Sequence, residues 1–74
     1  MPEYVINVAQ VEELQMIKDK DELEKIFSRA KSIIVQGGEV ILARKSRDGK
    51  VERFDEISTE PDLAAYKKTV FKYL

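Results

Sequence analysis

The chain has 74 residues, 13 Lys plus Arg against 14 Asp plus Glu, a formal net charge of -1, and no His, Cys or Trp. Those counts exclude disulfide staples, thiolate nucleophiles, Cys-type zinc sites and the histidine proton shuttle of neutral pH. A domain this short buries only about 60% of its unfolded surface, so self-association or a partner is the natural further support.

With 36% charged and 43% hydrophobic residues, the composition is that of a solvated globular surface around one core, without the basic excess of a general nucleic-acid binder. No segment approaches the ~18 to 20 apolar residues that span a bilayer. The opening Met1, Pro2, Glu3 has no basic stretch followed by an apolar one, so no secretory signal is expected. The chain reads as a soluble, cytoplasmic protein.

Residues 4–9 are rich in β-branched and aromatic side chains, which favours a strand. Apolar residues occupy both alternating sets: Tyr4, Ile6 and Val8 on one, Val5, Ala9 and Val11 on the other. Over residues 10–17 two periods compete. Val11, Leu14 and Ile17 recur at helical spacing, whereas Leu14 and Met16 continue the even-numbered strand face, and the extended reading is preferred.

A helix is expected from Asp19, which with Glu22 has the spacing of a capping box. Leu23, Ile26, Phe27 and Ala30 then form one apolar stripe, with acids early and bases late to suit the helix dipole. Ser32, Ile33, Ile34 and Val35 read as a short apolar, β-branched strand, and Gln36, Gly37 and Gly38 as its reversal into a strand over 39–45. Ser46, Arg47, Asp48 and Gly49 form a second turn before an alternating strand over 50–57.

Thr59 and Asp62 again have capping-box spacing, and Pro61 suits a helix's first turn. Leu63, Tyr66, Val70 and Leu74 share a stripe bordered by Ala64 and Phe71. The expected fold is therefore α+β over a single domain, residues 1–74. Its order is β-α-β-β-β-α, a small antiparallel sheet with two helices mainly on one face.

No catalytic constellation is visible, so no enzymatic activity, cofactor or metal site is expected. Asp55 and Glu56 alternate across strand faces, and the acids between Asp19 and Glu24 lack the glycine and terminal glutamate spacing of a calcium loop. Gly37 and Gly38 are not followed by the Lys and hydroxyl residue of a phosphate loop.

Two surfaces remain. Arg44, Lys45, Arg47, Lys50 and Arg53 cluster around the second hairpin with Phe54 beside them, a pattern able to contact phosphates and stack on a base. The same segment holds as many acids, Glu39, Asp48, Glu52, Asp55 and Glu56, so ion pairing on a solvated face is the simpler account. The other surface is apolar. Helices on one sheet face would leave Val5, Ala9 and Val11 uncovered, and Tyr73 and Leu74 extend beyond the core needs of the last helix. The sequence thus points to a non-enzymatic interaction or regulatory module, a homodimer with scope for a protein partner and no membrane association. Nucleic-acid binding through the basic hairpin is the alternative.

Overall fold

The computed structural model describes residues 2–72 and 74. Strand β1 (Glu3–Asn7) leads straight into helix α1 (Val8–Met16), followed by α2 (Lys20–Val35), β2 (Glu39–Lys45), β3 (Val51–Ile57) and α3 (Glu60–Phe71). The α+β class stands, and its sheet has the strand order β1-β2-β3. β2 and β3 pair antiparallel as a hairpin, whereas β1 lies parallel to β2, which makes the sheet mixed.

Two segments differ from the sequence reading, and each difference has a local cause. Residues 8–16 are helical because Asn7 ends β1 and caps α1 at once: its side chain accepts a hydrogen bond from the Ala9 N–H at 3.1 Å. Helical spacing then carries Val11 into the core, and the strand alternation stops at Asn7. Residues 32–35 are the last turn of α2 and not a strand. The stripe of Leu23, Phe27 and Ala30 continues to Ile34 at the next helical position, and this burial outweighs the β preference of the branched side chains.

Gly37 and Gly38 accordingly end a helix and do not turn a hairpin. Gly37 has φ +85°, and the N–H groups of Gly37 and Gly38 bond the carbonyls of Ile34 at 2.9 Å and Ile33 at 2.8 Å. This is a Schellman closure. α1 closes in the same way, with Lys18 at φ 56° where glycine is usual, and with Lys18 and Asp19 bonding Gln15 and Leu14. The other punctuation follows the sequence. Asp19 accepts from the Glu22 N–H at 3.2 Å and Thr59 from the Asp62 N–H at 3.3 Å, while Gly49, at φ +86°, completes the β2–β3 turn.

One core joins the layers. Val11 of α1, Leu23, Phe27, Ala30 and Ile34 of α2, and Leu63 and Val70 of α3 meet Ile6, Val40, Leu42 and Ile57 of the sheet. Tyr66 and Phe71 pack at its border, their rings 5.6 and 5.9 Å from that of Phe27 in tilted arrangements. All three helices therefore cover the same sheet face, and the molecule is only 16 Å across its thinnest direction.

Candidate functional site: the uncovered sheet face

Strand alternation assigns the second face of the sheet. With Val40, Leu42 and Arg44 turned toward the helices, Glu39, Ile41, Ala43 and Lys45 of β2 face the opposite way. Register adds Glu3, Val5 and Asn7 from β1, beside Glu39, Ile41 and Ala43 respectively. It adds Glu56, Arg53 and Val51 from β3, beside Ile41, Ala43 and Lys45. The register shifts between Leu42 and Ala43, so Phe54 is the extra residue of a bulge on β3. Phe54 and its neighbours Arg53, Asp55 and Glu56 border, with Ile41, a shallow hollow of about 410 Å³.

This face has a dry floor and an exposed apolar margin. Ile41 is 3% and Ala43 1% exposed, although neither belongs to the core beneath the helices. Arg53 Nη2 reaches Glu3 Oε1 at 3.4 Å, linking the two edge strands across β2. The apolar stem of an arginine lies readily along such a floor while its guanidinium stays in water. Around it Val5 is 46%, Val51 57% and Phe54 57% exposed, three of the six large hydrophobic residues most open to solvent among the described residues. The other three, Met16, Ile17 and Val35, lie at the ends of α1 and α2.

The residues expected at a self-association surface are thus divided. Val5 is on the uncovered face. Val11 is 2% exposed within the chain's own core, a correction that follows from the helix beginning at Val8; Ala9 has moved to the helix layer with it. Leu74 packs against the core border, and Tyr73 lies outside the described residues. Val51 and the bulged Phe54 complete the exposed apolar surface in their place, around the buried Ile41 and Ala43.

The basic hairpin does not gather into one surface. Arg44 points to the helix side and pairs with Glu12 of α1, Arg53 crosses the other face to Glu3, and Lys50 sits 4.0 Å from Asp48 at the turn. Lys45 and Arg47 make no ion pair among the described residues. At the turn Asp48 accepts from the Ser46 hydroxyl and from the Lys50 N–H, and these bonds, the hydroxyl's foremost, hold its carboxyl below the usual aspartate range. Tyr66 is shifted upward, first by burial and then by the nearby Glu12 carboxylate.

No family model, curated protein or solved structure matches this chain. Its own geometry therefore carries the functional argument. Among the described residues no helix is long and apolar enough to cross a membrane, and no three Asp or Glu side chains converge as a metal-binding group.

Proposed function

We propose that this protein is a non-enzymatic interaction module that associates with itself through the uncovered face of its sheet, and that it works in the cytoplasm. One observation carries the reading. Three helices crowd one face, while the other presents Val5, Val51 and Phe54 at roughly half exposure around the buried Ile41 and Ala43. A second copy laid on this face removes that apolar margin from water and gives a small core a second layer.

The size of the face sets the strength expected. Three strands about 4.8 Å apart, one of five residues and two of seven, have a flat footprint of roughly 300 Å². Standard interfaces bury about 800 Å² per partner. A reversible dimer of modest affinity is the outcome that fits, and not an obligate one.

Sedimentation velocity on the order of tens of micromolar tests this directly. The wild-type chain should show a concentration-dependent dimer, and Val5→Glu and Phe54→Glu should move it toward monomer while keeping the far-UV dichroism of the fold. A strictly monomeric wild type across that range overturns the reading. Nucleic-acid binding has less support, because Arg44 and Arg53 lie on opposite faces of the sheet and Lys50 at the turn, so these bases do not form one patch.

A further inference from the structure

The uncovered face has a polarity along its strands, and it fixes how two copies meet. On β2 the face runs Glu39, Ile41, Ala43, Lys45: an acid, two apolar residues and a base. On β3 Glu56 stands beside Ile41, and Arg53 beside Ala43, in the same sense. Neither Glu39 nor Lys45 makes an ion pair among the described residues.

Two copies stacked face to face by a two-fold axis have two arrangements. With the axis along the strands, β2 lies parallel on its twin, Glu39 meets Glu39, and Lys45 meets Lys45. Like charges brought together at an interface oppose binding. With the axis across the strands, the direction of β2 reverses and the lateral strand order is kept. Glu39 then faces Lys45 of the second copy and Glu56 faces Arg53, which exchanges its contact with Glu3 of its own chain for one across the interface. Aligned sheet stacks rotate by about 30°, which offsets these pairs without changing which end meets which.

Resting on the self-association proposed above, we infer that the occupant of the face is a second copy with its strands antiparallel, registered by reciprocal Glu39–Lys45 and Glu56–Arg53 contacts. Each contact occurs twice by symmetry. The pairs sit at the rim and select orientation more than they add affinity.

Charge exchange tests it. Glu39→Lys and Lys45→Glu should each weaken the dimer by several-fold to about tenfold, since each creates two like-charge contacts of the size typical for exposed pairs. The double variant, Glu39→Lys with Lys45→Glu, should recover wild-type association, and all three should keep the wild-type melting profile at concentrations where the chain is monomeric. The chain has no cysteine of its own. In an equimolar mixture of Glu39→Cys and Lys45→Cys chains, a short bis-maleimide should therefore link position 39 to position 45 in preference to 39–39 or 45–45. A wild-type dimer whose affinity ignores all three charge variants, or whose cross-links are 39–39 and 45–45, overturns the antiparallel arrangement and leaves self-association standing. A monomeric wild type overturns both.

Discussion

Gln15 in α1 donates its side-chain amide to the carbonyl oxygen of Val70 in α3 at 2.9 Å, across 55 positions of sequence. The last four carbonyls of any helix lack partners within it, so one helix here satisfies the end of another. Gln15→Ala removes that donor. The variant should lose about 0.5–1.5 kcal/mol by denaturant titration, with faster amide exchange concentrated in the last turn of α3. An unchanged midpoint would show that water replaces the bond at no loss.

Lys18 sits at φ 56°, in the left-handed region, because the closure of α1 requires it. A side chain in that region costs roughly 1–2 kcal/mol, partly offset by the chain entropy that glycine loses on folding. Lys18→Gly should therefore raise stability by about 0.5–1 kcal/mol. A lower melting temperature for this variant would place the strain elsewhere.

The two adjacent glycines at the end of α2 serve different purposes, and alanine at each separates them. Gly37 needs its positive φ but has open space around it, so Gly37→Ala should cost about 1 kcal/mol from backbone strain. At Gly38 an added Cβ would lie 2.3 Å from the Pro2 carbonyl oxygen and 2.8 Å from Ile33 Cγ2. That carbonyl also accepts the Glu39 N–H, so Gly38→Ala must move the start of β1. It should cost about 1–3 kcal/mol, as overpacking does. Thermal melts in which Gly37→Ala is the more damaging would reverse this assignment.

Asp48 is fully exposed, yet hydrogen bonds from Ser46 and Lys50 lower its carboxyl pKa in the folded state. The turn is thus stabilised above the unfolded aspartate value and loses that stabilisation as pH falls through the lower, folded value. Carboxyl-detected NMR titration should find Asp48 below the ordinary aspartate value. In Ser46→Ala it should move up toward that value, because the largest of the causes has been removed.

Much of this architecture was legible wherever side chains bond their own backbone. Asp19 and Thr59 marked helix starts, and Asp48 with Gly49 marked the hairpin, since capping and turn chemistry is local. The first helix was not legible, because Asn7 lies between apolar residues and nothing nearby in sequence shows that Val11 joins one core with residues as distant as Leu63 and Val70. Ile33, Ile34 and Val35 favour strands in isolation, and the signal against one was the glycine following a stripe that kept its helical period. Val5 was found by alternation. Ile41 and Ala43 were hidden in a run apolar on both faces, and Phe54 was read for its stacking potential because a one-residue bulge leaves no trace in composition.

Asn7 belongs to a strand and caps a helix in consecutive bonds, with no linker between the two. An extra residue inserted there would turn the helix by about 100° about its axis and swing Val11 out of the core. The Ser46–Gly49 turn, by contrast, is exposed and makes its hydrogen bonds among its own residues and Lys50, so a longer loop there can close the same hairpin. Both connections leave the same end of the sheet, and that end therefore tolerates added length at the β2–β3 turn and not at the β1–α1 junction.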